Sequence, residues 1–209
     1  MKLNDIIEKR PIKENWDPKK EKEIINYFLN EYYNAIKTKD LTSFEEALRK
    51  VDENWLNLDI NEIEDLFADF NKNLVEFQNN NMQDINELLK ILQIEDYKNV
   101  INDVRNKLKE IKSRNFLLKS IIYNILMLIE PYKYKYFALK EEIHTEIYLN
   151  KRMEDKYVKG SVIDSEVKKY SEYKKFHFFD RAYKLTEKLF EQVNSIYFLI
   201  KEIESYLKE

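Results

Sequence analysis

The chain has no cysteine and a single glycine, Gly160, among its 209 residues. Without thiols it has no disulfide framework, no thiolate nucleophile and no cysteine-ligated zinc site. Tight turns and hairpin loops draw on residues that tolerate positive φ, so one glycine is a poor supply for a β-rich fold. Walker A loops and G-x-G-x-x-G turns need several glycines, so no nucleotide and no other cofactor is expected. Long apolar runs are missing too. The uninterrupted aliphatic stretches fall far short of the ~18 residues a membrane span requires. The opening MKLNDIIEKRPIK carries charges where a signal peptide would be apolar. Composition therefore predicts a soluble, cytoplasmic protein with no membrane span.

What the chain does have is charge and aromatic rings, at 36% and 14% of its residues. The net charge of −3 is unevenly placed: residues 1–100 hold 14 Lys+Arg against 22 Asp+Glu, whereas 101–209 hold 22 against 17. An acidic front and a basic back predict separate partners for the two halves, or contacts between neighbouring copies.

The dominant pattern is helical. Val104, Leu108, Ile111, Asn115, Leu118, Ile122, Ile125 and Ile129 recur at alternating steps of three and four, the spacing of one buried seam. Around Phe116 to Ile129 nearly every side is apolar, so further packing is expected there. Upstream, Leu3 to Lys9 could make a turn or two before Pro11, followed by a tether. Asp17-Pro18 opens a helix as cap and first-turn proline, with Ile25, Phe28, Leu29, Tyr32 and Ile36 inward and an end near Lys39. Leu41-Thr42-Ser43 with Glu45-Glu46 reads as a capping-box start for a second helix carrying Phe44, Ala47, Leu48, Val51 and Trp55. A third, from Asp59 or Asn61, carries Ile63, Leu66, Phe67, Phe70, Leu74 and Phe77. The polar run 78–81 reads as a loop, followed by a short helix from Met82 to Leu92.

Pro131 is expected to kink or end the central helix. Tyr132 to Val158 continues with helical spacing, Gly160 is placed to terminate it in the left-handed region, and Asp164 to cap a final helix. That helix carries Ala182, Leu185, Leu189, Ile196, Leu199, Ile203 and Tyr206 in heptad register, a stripe expected to drive oligomerisation. The fold class is thus all-α. The expected organisation is an N-terminal tether (1–17), an acidic bundle of short helices (18–78), and an elongated three-long-helix, coiled-coil-like hairpin unit (82–209) with its tip near residue 160.

Catalytic constellations are weak. Glu141 and His144 form Glu-x-x-His, but a carboxylate-bridged metal site needs a second such pair, and the remaining histidine, His177, follows Lys174 instead. No metal site and no enzyme is expected. Lysines interleaved with aromatics recur at Tyr132 to Tyr136 and again through Lys168, Lys169, Tyr173, Lys174, Lys175, His177 and Arg181. Lysine neutralises phosphates and rings stack on unpaired bases, so this segment is the candidate surface for single-stranded nucleic acid or a partner. Against that, Phe176, Phe179 and Tyr183 hold core spacing, and lysine stems commonly cover apolar seams. The first expectation is a non-enzymatic assembly or adaptor protein that binds a protein partner or itself. The alternative is an accessory nucleic-acid-binding protein.

Overall fold

A computed structural model describes residues 17–93, 100–155 and 157–207, leaving aside the side chains at 75–82, 84, 88, 91 and 92. The turns expected from Leu3 to Lys9 and the tether to residue 16 lie outside the described residues. So do the side chains of Phe77, Met82, Leu88 and Leu92. Every described regular element is helical: α1 (Pro18–Thr38), α2 (Thr42–Glu53), α3 (Ile60–Leu92), α4 (Ile101–Glu154), α5 (Gly160–Val167) and α6 (Ser171–Tyr206). The all-α expectation holds.

Local chemistry explains most boundaries. Asp17 accepts a hydrogen bond from the Lys19 amide at 2.9 Å, with Pro18 opening α1 as its sequence predicts. The helix ends at Lys39, which takes φ 66, a left-handed conformation usually filled by glycine. At α2 the predicted capping box does not form. Leu41 is the cap residue, and Asp40 Oδ1 instead accepts from the Thr42 amide (3.0 Å) and hydroxyl (2.9 Å). The capping box appears at α3. There Asp59 Oδ1 accepts from the Asn61 amide at 2.8 Å, and Glu62 Oε2 accepts from the Asp59 amide at 3.3 Å.

Two expectations about helix ends are corrected, and of the two alternatives at Pro131 one is removed. Residues 78–81 are helical, within the unbroken 33 residues of α3. Asparagine costs only about half a kcal/mol per residue against alanine in a helix, and the run holds no glycine or proline to stop it. Leu74 and Ile85, eleven residues apart and so on one face, are both buried on either side of it. Pro131 does not end its helix: it is exposed, and α4 continues through it for 54 residues, roughly 80 Å at 1.5 Å per residue. The two long segments read on either side of Pro131 are therefore one element. Gly160 does not terminate a helix in the left-handed region. It opens α5 with no positive φ and open space around its Cα, Asp164 sits inside α5, and the last helix begins at Ser171.

The spine is an antiparallel pair, α4 against α6. Arg105 reaches the Leu207 carbonyl at one end of the overlap, and Tyr136 stacks on Phe179 nearer the other. All eight positions of the predicted central seam, Val104 to Ile129, are buried. Helices α1, α2 and the front of α3 pack on the middle of this spine, where Phe28, Tyr32, Phe44 and Phe67 meet Leu118 to Tyr136 and Phe178 to Val193 in one continuous core. The acidic N-terminal helices and the long helices thus share a core. Two smaller clusters flank it. At one end Ile85 joins Val104, Leu108, Ile111, Ile196, Ile200 and Ile203; at the other Ile143 and Ile147 meet Ile163 and Val167 of α5.

The stripe of α6 is consequently covered within the chain. Leu185, Leu189, Ile196 and Ile203 are buried against α4, so they are not the oligomerisation surface the sequence predicts; Tyr206, placed in the same register, is exposed. Tyr32, fully buried, donates to Thr186 Oγ1 at 2.9 Å while Thr186 itself donates to the Ala182 carbonyl, and burial pushes the phenol well above its ordinary pKa.

Candidate functional site

The basic-aromatic segment straddles the start of α6, and most of it turns inward. Lys174 donates from Nζ to the carbonyl and side-chain oxygens of Asn57, and burial pulls its ammonium below the ordinary value. Lys175 is buried at 7% exposure and donates to the Asp52 carbonyl and, at 3.2 Å, to the Tyr136 hydroxyl. His177 Nε2 lies 2.8 Å from Glu64 Oε1, and Arg181 Nε 3.1 Å from Glu64 Oε2. Tyr173 is half-buried against the small cluster formed with α5. Lys168 and Lys169 are exposed on the bend before α6, where Lys169 pairs with Glu166 at 2.8 Å. Phe176 lies half-buried beside Phe137, and Phe178 and Phe179 are in the core.

The second lysine-tyrosine run is divided, with Tyr134 exposed and its neighbours engaged within the chain. Tyr132 and Tyr136 stack on Phe179 at 5.2 and 5.6 Å, Lys133 pairs with Asp180, and Lys135 Nζ lies 2.6 Å from Asp52 Oδ1. Part of the charge asymmetry between the two halves of the sequence is met within the chain, with Asp52 and Glu64 of the front facing Lys135, His177 and Arg181 of the back. Asp52 also accepts from the Tyr136 hydroxyl at 2.6 Å, which joins α2 to α4, while Lys175 brings in α6.

Partial burial works against the charge on Asp52, but hydrogen bonds from Lys135 and Tyr136, with the positive charges of Lys135 and Lys175, outweigh it and hold the carboxyl below its usual range. A carboxylate whose folded pKa is depressed adds stability above its unfolded pKa, and that contribution is lost as pH falls through the folded value. Asp52→Asn should therefore be less stable than the wild type at neutral pH, with the gap closing as pH falls below about 4. Urea unfolding of both proteins across that range checks this; a gap that persists unchanged in acid contradicts the assignment.

The Glu-x-x-His pair is split between neighbours. His144 Nε2 lies 3.6 Å from Asp164 Oδ1, and Glu141 lies 2.7 Å from Lys140. With Lys168 and Tyr173 they line an open, mixed-charge surface pocket of about 400 Å³. Among the described residues, no group of three or more His, Asp or Glu is placed to hold a metal ion, and no helix is long and apolar enough to cross a membrane.

A different surface stands out on α4. Phe116, Ser120, Tyr123, Met127, Glu130 and Tyr134 follow one another at steps of four and three, a second seam about 140° around the helix from the buried one at 100° per residue. Its large members are exposed: Phe116 65%, Tyr123 48%, Met127 45% and Tyr134 60%. One flank opens into a groove of about 420 Å³ toward α6, lined by Phe116, Lys119, Tyr123, Phe190 and Tyr197. There Lys119 bonds Asn194 Oδ1 at 2.8 Å and sits 5.0 Å over the Tyr197 ring. The sequence signals this surface only as the stretch that is apolar on nearly every side. It cannot say which side the fold leaves open.

Compared with protein-family models, curated proteins and solved structures, the chain matches none.

Proposed function

We propose that this is a non-enzymatic, cytoplasmic assembly protein that acts through protein-protein contacts, with the outer seam of α4 as its contact surface and a second copy of the chain as its partner. The observation that carries this reading is a heptad-spaced row of exposed aromatic and thioether side chains on a helix whose opposite face is already buried. Scattered single apolar residues on a surface are ordinary, but large apolar side chains gathered along one helix face mark an interaction site. Aromatic residues and methionine are also the types enriched in interface cores. The nucleic-acid alternative draws less support, because Lys174 and Lys175 donate to Asn57 and Asp52, and His177 and Arg181 lie against the Glu64 carboxylate.

The test is solution mass by light scattering, over a concentration series, for the wild type and for the Phe116→Glu/Tyr123→Glu double variant. Both positions are exposed, so helicity by circular dichroism should be unchanged. The expected result is a wild type heavier than one chain and a variant at the mass of one chain. A wild type at one-chain mass throughout rules self-association out. Salt-sensitive binding of labelled single-stranded oligonucleotide by such a monomer would instead favour the alternative, because phosphate contacts release counterions.

A further inference from the structure

The outer seam of α4 is symmetric about residue 125. Tyr123 and Met127 lie two positions either side, Ser120 and Glu130 five, Phe116 and Tyr134 nine, and Lys109 and Glu141 sixteen. Within residues 116–134 apolar positions mirror apolar ones and the two polar positions mirror each other; beyond them Ser113 mirrors Phe137, while Lys109 and Glu141 are opposite in sign. A two-fold interface requires a surface that is complementary to itself, so that if residue i meets j, then j meets i.

From this symmetry we infer that two copies pair through α4 in antiparallel fashion, with the two-fold axis passing beside residue 125. This rests on the self-association proposed above and adds its geometry. In that arrangement Tyr123 of one copy meets Met127 of the other, and Phe116 meets Tyr134. Ser120 meets Glu130, so that the carboxylate entering the apolar seam finds a hydroxyl donor. At each end Lys109, exposed on α4, faces Glu141 of the second copy. A parallel pair in register would set Glu130 against Glu130 within the seam and Lys109 against Lys109 beside it, and juxtaposed like charges oppose association. Polar residues at single seam positions are a known device for fixing register and orientation. The matched stretch from Phe116 to Tyr134 spans 19 residues, or roughly 28 Å.

The absence of native cysteine makes the geometry directly readable. Ser120→Cys and Glu130→Cys are prepared separately in the full chain, and each sample and an equal mixture are oxidised under native conditions. Antiparallel pairing brings position 120 of one copy opposite 130 of the other, whereas two copies of one variant have their thiols ten residues apart, about 15 Å, beyond disulfide reach. The expected result is a disulfide-linked dimer in the mixture, with little or none in either sample alone. Cross-linking of each variant with itself means parallel pairing and overturns the inference. A wild-type mass of two chains with no cross-link in any sample also overturns it, while leaving self-association standing. A wild-type mass of one chain removes both.

Discussion

Phe178→Ala is expected to lower the unfolding free energy by about 4 kcal/mol, among the largest losses that one side chain in this molecule can cause. Phe178 is fully buried, with the rings of Phe28, Phe67 and Phe179 at 4.9, 5.3 and 5.3 Å. Those neighbours come from α1, α3 and α6, so truncation opens a cavity where separate elements meet. A rigid aromatic wall relaxes into such a cavity only in part. Denaturant unfolding checks the value, with Phe198→Ala as the comparison. Phe198 is 63% exposed on the same helix, and its loss should change stability by no more than about 0.5 kcal/mol. A similar small change for Phe178→Ala would mean that the aromatic cluster is not the centre of the core.

Glu21→Ala should be nearly as damaging, through polar rather than apolar loss. Glu21 is buried, and its Oε1 accepts the backbone amides of Asn57 at 2.7 Å and Leu58 at 2.6 Å. These amides belong to the irregular link between α2 and α3, a stretch with neither glycine nor proline to set its turn. Ser171 Oγ accepts the Leu56 amide in the same link, and Lys174 donates to Asn57. Removing the carboxylate leaves one buried and one part-buried donor unpaired, at a combined cost of about 3 kcal/mol. Glu21→Gln keeps an acceptor oxygen and should cost about 1 kcal/mol, since a bond to a charged acceptor is roughly twice as strong as a neutral one. Amide exchange at Asn57 and Leu58 provides a local readout: fast in the alanine variant, still protected in the glutamine variant. Protected amides in both would show that the link is held without Glu21.

How much of this could be read from the chain follows from what periodicity reports. The seam from Val104 to Ile129 and the inward face of α1 were legible because burial on a helix repeats every three or four residues, and Asp17-Pro18 was legible because a cap is local. The run 78–81 misled because polarity resembles a loop, although continuity of the backbone depends on what can break it. The fastening of the α2 to α3 link was not legible. Glu21 lies 36 residues from Asn57, and Ser171 lies 115 from Leu56. For the same reason the lysines of α6 read as a free basic surface, since their acceptors Asp52 and Asn57 sit more than a hundred positions away. The outer seam is half legible: the stretch that holds it is apolar on nearly every side, but which of two seams faces outward depends on where α6 and the N-terminal helices settle.

One consequence of the length of α4 concerns time rather than shape. The helix threads three separate clusters: a large one shared with α1, α2, α3 and α6, and a small one toward each end. Opening either end gives up only a few buried side chains, whereas opening the middle dissolves the whole core, so a single unbroken helix carries a gradient of opening free energies. Its ends are expected to open on their own schedule, and the stretch from Leu118 to Tyr136 only when the molecule unfolds. The outer seam lies almost entirely on that slow stretch, so a partner would meet a surface that is already set before it arrives.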